Sequence, residues 1–519
     1  MCGIVAAYGD VDVDECRAML ARLRHRGPDD AGTVQVGDAW LGHRRLAIVD
    51  VVGGHQPLST SDGSAHLVAN GEIYNHVQLR DRHTRHSGES PSQARAMHMS
   101  GSDNEAILHL ITEQGTAGVG ALRGMYAFAV AGADGLFVAG RDPVGIKPLY
   151  WARRDGAVRF ASEIRAFPPA WRPLVEAFPP GCCWTPEAGL VQGAAVAGTR
   201  PVAQMAGLSP LPPPVSPPDL LATIRDAIVL AVERRMMADV PVGVFLSGGL
   251  DSSLVAAVAA RHAARRGVQL STFAVGTPDS PDLLAARVVA HHLDTDHHER
   301  VYTPDDAMAV LPAVIAAMES YEPSLVRSAV PNYLLAELAA RHVKVVLTGE
   351  GADELFAGYE YLREISDAGE LHEELVRSVA GLHHLNLQRC DRVTMAHSLE
   401  ARVPFLDLDV IRLALALPAS WKLPAPGRMA KHVLREAFAG WLPAEIVWRT
   451  KAQFGDGSGA TAALGQRAAL GISDADLAAA QAVLDPPPRT REELAYRRLF
   501  SDHLPGIRPH RVLGRFATA

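Results

Sequence analysis

Cys2 is the first residue of this 519-residue chain whose chemistry stands out. It follows the initiator Met, and a small residue at position two generally permits that Met to be removed. The thiol would then share a residue with its own α-amine, whose pKa of about 7.7–8.0 lets it accept a proton near neutral pH. Thiol and base together make a self-contained nucleophile. Further stretches could serve it. RHRGPDD at 24–30 and HRRLAIVD at 43–50 set arginines, Arg45 among them, in glycine- or strand-bounded positions that suit a carboxylate. ANGEIYNH at 69–76 puts Asn70 and Gly71 at the end of a strand, where a side-chain amide and a backbone N–H can point at one developing oxyanion. GSDNE at 101–105 offers Asp103 for an ammonium group. Taken singly, these are equally a turn, a salt-bridged strand and a helix N-cap.

A second set lies downstream. SGGLDSS at 247–253 stands between an apolar run at 240–246 and an apolar helical stretch. Its glycines let the backbone turn tightly and expose N–H groups, and the helix N-terminus adds positive potential. Ser247, Ser252 and Ser253 can donate hydroxyls to phosphate oxygens. The lysine of the GxxxxGK[ST] loop is missing, so this is a different phosphate cradle. Asp251 inside an anion-binding turn calls for a metal partner, and Mg2+ shared with the phosphates answers that need. TGEGADELFAGYEY at 348–361 also follows an apolar run, at 343–347. Parallel strands deliver both loops to one carboxyl edge of a sheet, where α/β proteins bind ligands. Asp251 and Asp353 could then hold one Mg2+ together. Glu350 and Lys451, read alone, are surface salt-bridge residues.

Positioning these groups takes more than one core, since single cores stop growing near about 250–300 residues. Residues 207–219, GLSPLPPPVSPPD, carry six prolines and read as an extended seam. Before it, short alternating runs at 40–49, 65–70, 126–130, 135–139 and 158–161 describe a β-rich domain, with helices expected at 14–23 and 103–113. After it, helical periodicity at 220–236, 252–264 and 281–293 alternates with apolar runs at 240–246, 268–275 and 343–347. That alternation predicts a parallel sheet covered on both faces. Residues 82–102, rich in His, Ser and Arg, read as a mobile surface loop. Composition is ordinary for a globular protein, with 48% hydrophobic and 21% charged residues. A net charge of −8 argues against a nucleic-acid protein working through bulk positive charge. No apolar stretch is long enough to span a membrane, and the N-terminus lacks the basic region of a signal peptide. Five cysteines make no disulfide framework, so the expected compartment is the reducing cytoplasm. Cys182 and Cys183 are expected to be buried thiols, and His291, His292, His297 and His298 to be solvated or core residues rather than metal ligands.

The first set, in its order and with GRDPVGIKPLY at 140–150 and FASEI at 160–164, resembles the glutaminase domain of class II glutamine amidotransferases. SGGLDSS resembles the signature of the ATP-pyrophosphatase, or PP-loop, enzymes. With EARVPFLD at 400–407, KHVLRE at 431–436 and RTKAQFGDG at 449–457, nearly the whole chain is similar to the glutamine-hydrolysing asparagine synthetases. The resemblance implies an α+β Ntn-hydrolase αββα sandwich at residues 2–205, a proline-rich linker at 206–218, and an α/β PP-loop synthetase domain at 219–519. Cys2 would attack the glutamine side-chain amide, with Asn70 and Gly71 stabilising the tetrahedral intermediate. Arg45 and Asp103 would hold the glutamine carboxylate and amine, with Glu72 nearby. ATP would meet Leu246, Ser247, Gly248, Gly249, Leu250, Asp251, Ser252 and Ser253, bordered by Val275 and Gly349, and Mg2+ would meet Asp251 and Asp353. Aspartate's side-chain carboxylate would attack the α-phosphate, giving β-aspartyl-AMP and pyrophosphate. Ammonia reaching it through an internal tunnel would then displace AMP. Lys451 would neutralise phosphate charge, and Glu350 would take a proton from the attacking ammonia. Arg327 would bind the acceptor carboxylate.

One stretch departs from the family. Where many members carry Thr-Thr-Ile-Arg-Ala-Ser, this chain has Ser324-Leu325-Val326-Arg327-Ser328-Ala329, losing hydroxyls at Leu325 and Ala329. If those hydroxyls touch the substrate, each loss costs about 0.5–1.5 kcal/mol. An amidotransferase of the same architecture acting on another carboxylate is therefore the alternative reading. A β-lactam-forming synthetase, which needs no ammonia, sits poorly with Cys2 and the glutamine-binding set. A homodimer is left open.

Overall fold

The apolar run after Cys2, GIVAAY, forms strand β1 (Gly3–Tyr8), buried on both faces up to Tyr8. The structure, a computed structural model, describes residues 2–86, 100–192, 217–423, 428–450, 454–461, 464, 467 and 469–516. It divides into two compact units: Met1–Pro201 with Met395–Ser398 and Arg498–Gly514, and Val202–Thr394 with Leu399–Arg497 and Arg515–Ala519. The first unit continues with β2 (Asp30–Val36), β3 (Ala39–Arg45), β4 (Leu58–Ser59), β5 (Ala65–Ile73) and β6 (Gly124–Gly132). Then come β7 (Phe137–Arg141), β8 (Tyr150–Arg154), β9 (Ala157–Ala161), β10 (Glu176–Ala177), β11 (Cys182–Thr185) and β12 (Gly189–Gln192). Its helices before residue 192 are α1 (Val13–Ala21), α2 (His76–His86) and α3 (Glu105–Gln114). One antiparallel sheet runs β10-β8-β9-β1-β3-β2 and the other β12-β11-β7-β6-β5-β4.

Side-chain alternation sorts these strands into layers. Ile4, Ala6, Leu41, Val68, Ala129, Phe160 and Cys182 fill the space between the two sheets. Leu67, Ala69, Ile73, Phe128 and Cys183 turn the other way and pack with Ile107, Leu108 and Ile111 of α3. Helix α1 covers β1 and β3 from the opposite side. The layers are therefore helix, sheet, sheet, helix, the αββα sandwich that the resemblance implies. Adjacent cysteines on one strand land in two different cores, and burial pushes Cys182 up to about 11 and Cys183 up to about 12. Helix α2 corrects one expectation: the stretch read as a loop from residue 82 is helical through His86, and residues 87–99 lie outside the described residues.

The second unit opens on helix α4 (Pro217–Arg234), whose prolines stand in the first turn, where a missing N–H costs no hydrogen bond. The proline-rich seam up to residue 216 lies outside the described residues. The alternation then proceeds as β13 (Val242–Phe245), α5 (Leu250–Arg265), β14 (Ser271–Gly276), α6 (Pro281–Leu293) and β15 (Asp296–Val301). Helix α7 (Pro323–Ala339), β16 (Val345–Leu347), α8 (Asn386–Met395), β17 (Glu400–Arg402) and α9 (Arg491–His503) follow, with further helices between. The sheet is parallel throughout, in the order β15-β14-β13-β16-β17. Strands β13 and β16 are hydrogen-bonded neighbours, so the loops that leave their carboxyl ends emerge side by side.

Candidate functional site

In the first unit, Cys2 is buried at the start of β1, and its backbone N–H donates to Asn70 Oδ1 at 2.9 Å. Asn70 shares the parity of Val68 on β5, so it points across the sandwich toward β1. Its Nδ2 is fully buried and has no hydrogen-bond partner among the described residues. Such an orphan donor is costly in a resting protein, by about 1–3 kcal/mol, and is what a developing oxyanion needs. Arg26 Nε donates to the Cys2 carbonyl at 3.0 Å, and Arg26 Nη1 is held at 2.8 Å by the buried Glu163. Ser162 Oγ accepts from the Ile4 N–H at 3.0 Å. The FASEI stretch thus pins the residues around Cys2.

The edge of β5 explains the rest of this site. Strand β4 pairs with β5 only at Leu67 and His66, which leaves the edge beyond open. Side chains complete it. Gln56 Oε1 accepts from the Ala69 N–H at 2.7 Å and Gln56 Nε2 donates to the Ala69 carbonyl at 3.3 Å. Asn104 Nδ2 donates to the Gly71 carbonyl at 3.0 Å, and Asp103 Oδ2 accepts from the Ile73 N–H at 2.5 Å. Strand alternation turns the Gly71 N–H to this same edge. A Cβ on Gly71 would stand 2.0 Å from the Met125 carbonyl oxygen, so only glycine fits. Asp103 was expected near the N-cap of α3; that helix starts at Glu105, and the carboxylate serves the strand edge instead. Arg45 directs its guanidinium at the Val49, Asp50 and Val51 carbonyls, shaping the turn after β3. Glu72 is buried on β5 beside these groups. His43 Nε2 meets the Ala69 carbonyl at 3.1 Å, and burial pushes its imidazole down to about 3, so it is neutral and donates there.

In the second unit, residues 247–249 form the turn between β13 and α5. Gly248 has φ +67, and a Cβ there would lie 2.5 Å from Ala285. Ser247 Oγ and Ser252 Oγ are 3.0 Å apart, and Ser252 Oγ accepts from the Ser247 N–H at 3.2 Å. Ser253 Oγ is buried and has no hydrogen-bond partner among the described residues. Gly349 lets the neighbouring loop press close: its Cβ would sit 2.9 Å from Asp251 Cβ. Asp251 and Asp353 do converge, and Lys431 Nζ lies between them, in contact with Asp251 and 2.5 Å from Asp353 Oδ1. Gly358 leaves room for that contact, since a Cβ there would be 2.1 Å from Lys431 Cε. The two carboxylates therefore already surround one positive charge, a hard-oxygen donor set of the kind Mg2+ takes. No group of three or more His, Cys, Asp or Glu suited to a metal occurs among the described residues, which here bring two carboxylates together.

These loops open onto a cavity of about 530 Å³. Leu246, Ser247, Gly249, Leu250, Asp251, Ser252, Val275, Gly349, Glu350, Asp353 and Arg327 line it, while Gly248 and Ser253 lie behind the lining. Glu350 pairs with the buried Arg389, whose Nη1 also donates to Ser328 Oγ at 2.7 Å. Arg327 makes a bidentate pair with Glu492. Leu325 and Ala329 are fully buried and outside the lining, so the two lost hydroxyls do not face the cavity. Lys451 lies outside the described residues.

Residues 1–177 match the family model described as a glutamine amidotransferase domain, and residues 223–369 and 363–506 match the one described as asparagine synthase. Asparagine synthetase (glutamine-hydrolyzing) 2 of Arabidopsis thaliana is 40% identical, over 97% of this chain and 88% of the relative. The asparagine synthetases of Asparagus officinalis and Sandersonia aurantiaca are 39% and 38% identical, covering 97% and 98% of this chain and 86% and 97% of theirs. The chain belongs to the glutamine-hydrolysing asparagine synthetase family. For an asparagine synthetase of this family, several residues of the site escaped sequence reasoning. Arg26, Gln56, Asn104 and Ser162 act through backbone groups, and Glu163 acts through the Arg26 guanidinium. Lys431 and Arg389 act through acids that the motifs had singled out. Lys431 and Glu163 stand inside quoted motifs, KHVLRE and FASEI, and a charged residue in a buried stretch was the signal available for each.

Proposed function

We propose that this chain makes asparagine from aspartate, glutamine and ATP, releasing glutamate, AMP and pyrophosphate. The observation that carries the reading is the coexistence of two built sites in one chain: a thiol beside an orphaned amide donor, and a serine–glycine phosphate turn facing two convergent aspartates. At the first, the Cys2 α-amine takes the thiol proton, and sulfur attacks the glutamine amide carbon. Asn70 Nδ2 and the Gly71 N–H receive the oxyanion, the α-ammonium returns its proton to the amide nitrogen so that ammonia leaves, and water releases glutamate from the thioester. Arg45 and Asp103, with Glu72, form the surroundings of the glutamine α-carbon groups.

At the second site, the Ser247–Ser253 turn accepts the phosphates, and Leu246, Val275 and Gly349 border the nucleotide. Asp251 and Asp353 would hold Mg2+, which supplies charge neutralisation on the phosphate oxygens when bound. Lys431, held between the two aspartates, and Lys451 add positive charge. The aspartate β-carboxylate attacks the α-phosphorus and pyrophosphate leaves. Ammonia then attacks the acyl carbon, Glu350 takes a proton from its nitrogen, and AMP departs. Arg327 receives the acceptor carboxylate. This reading places the protein in the cytoplasm, and no helix of the described residues is long and apolar enough to cross a membrane. The test is product analysis of the purified chain with glutamine, ATP, Mg2+ and aspartate, expecting asparagine and AMP in equal amounts. Intact glutaminase activity without asparagine would overturn the proposal.

A further inference from the structure

Arg327 lines the cavity, but its guanidinium is not loose. Its Nε donates to Glu492 Oε1 at 3.0 Å, and its Nη2 contacts Glu492 Oε2, a parallel two-bond fork. Glu492 sits in the first turn of α9, is almost wholly buried, and does not itself line the cavity. The buried Tyr496 hydroxyl, one turn along α9, donates to the same Glu492 Oε1 at 2.8 Å. The arrangement runs in one direction: Tyr496 fixes Glu492, Glu492 fixes the plane of Arg327, and Arg327 faces the cavity. Both hydrogen bonds to Glu492 use Nε and Nη2, which leaves Nη1 as the nitrogen directed elsewhere. Arginine carries several rotatable bonds, and a guanidinium free to swing would offer a carboxylate many geometries and hold none of them well. A buried carboxylate behind it also cancels its net charge, which lowers its pull on any anion while sharpening its direction.

We propose that Glu492, anchored by Tyr496, is a positioning residue for acceptor recognition: it locks the Arg327 guanidinium in the plane that receives the carboxylate of an amino-acid acceptor. The inference rests on the proposed acceptor role of Arg327. Its consequence is that the distant C-terminal helix, which carries none of the signature motifs, sets affinity for the acceptor. Neither ATP binding nor glutamine hydrolysis depends on it.

The test is steady-state kinetics on the full chain with ammonia as nitrogen source, measuring KM for aspartate, KM for ATP and kcat, with glutaminase activity measured separately. Four forms are compared with wild type: Glu492→Gln, Tyr496→Phe, Arg327→Ala, and Glu492→Gln combined with Arg327→Ala. Arg327→Ala is expected to raise KM for aspartate about 100-fold and Glu492→Gln about tenfold, the cost of a misdirected charged hydrogen bond. Tyr496→Phe should raise it by a smaller factor of about three. KM for ATP and glutaminase activity should stay within twofold. In the double variant, Glu492→Gln should add nothing to Arg327→Ala, because it acts only through that side chain. An unchanged KM for aspartate in Arg327→Ala would remove the acceptor role of Arg327 itself. A raised value there with wild-type values in Glu492→Gln and Tyr496→Phe would overturn the positioning role alone. Equal losses in ATP, aspartate and kcat terms would make Glu492 merely structural and also overturn it. Should Glu492→Gln fail to fold, Tyr496→Phe retains the Glu492 carboxylate, removes only its anchoring hydrogen bond, and still decides the question.

Discussion

Replacing Asn70 by Asp separates the two things that its side chain does. The oxygen that accepts from the Cys2 N–H at 2.9 Å is retained, while the donor Nδ2–H becomes another oxygen. In the resting protein Nδ2 has no hydrogen-bond partner among the described residues, so its removal breaks no bond already formed. The loss falls on the transition state, where one oxyanion donor disappears and a carboxylate oxygen faces the developing negative charge, so the cost of the lost donor is a lower bound. Removal of such a donor costs about 3–4 kcal/mol, or about 10²–10³ in kcat. Because the donor is idle before the reaction, KM for glutamine should move little. Asn70→Ala loses the acceptor of the Cys2 N–H as well but brings no charge, and should fall in the same range of about 10²–10³. The assay is ammonia release from glutamine across a concentration series, with ammonia-dependent synthesis as the folding control. Asn70→Asp turning over within threefold of wild type, or a raised KM with unchanged kcat, would refute the assignment of Nδ2 to the oxyanion.

Other outcomes are expected. Cys2→Ala should abolish glutamine-dependent synthesis and spare ammonia-dependent synthesis, measured as asparagine formed with each nitrogen source. Burial pushes Lys422 from 10.5 down to about 7, so the folded state releases a proton that the unfolded chain keeps. The resulting penalty, about 5 kcal/mol, is full below pH 7 and vanishes above about 10.5. Lys422→Met, discounted by about 1 kcal/mol for the lost contact with the Ala414 carbonyl, should raise stability in urea at pH 7, with the gain fading toward pH 10. His43 is the acid-side counterpart. Its folded pKa of about 3 against 6.5 means that the unfolded chain binds the extra proton, so stability falls as pH drops from 6.5 toward 3. His43→Gln should flatten that limb in thermal melts and leave stability above pH 7 nearly unchanged.

What was legible in the sequence follows from how each residue acts. The phosphate turn could be read because Gly248, Ser252 and Asp251 act through their own backbone or side-chain type at fixed spacing. The alternation of strands and helices after residue 219 came from apolar periodicity, and helix α6 (Pro281–Leu293) was read to the residue. Strand β1 was missed because its residues are buried on both faces, which erases the alternation by which an antiparallel strand is recognised. Gln56 and Asn104 were missed because an amide that completes a strand edge has no local pattern; its partners lie 13 and 33 residues away in the chain. Arg327 was seen, but its partner 165 residues on, Glu492, was not. Long-range pairs of opposite charge are the part of the site that only the fold discloses.

The unfinished edge of β5 has a bearing on how the protein keeps its own company. A strand with free N–H and C=O groups is a template onto which an extended segment from another molecule can add. Such an edge lies here at the Gly71 end of β5, beyond the two residues that β4 pairs. Gln56, Asp103 and Asn104 occupy its hydrogen-bonding positions with side chains rather than with a further strand. A side chain can satisfy the ladder yet offers no outward-facing row of its own for the next strand to read. The backbone groups of β5 that a foreign β-strand would need are thus already engaged by the chain's own side chains.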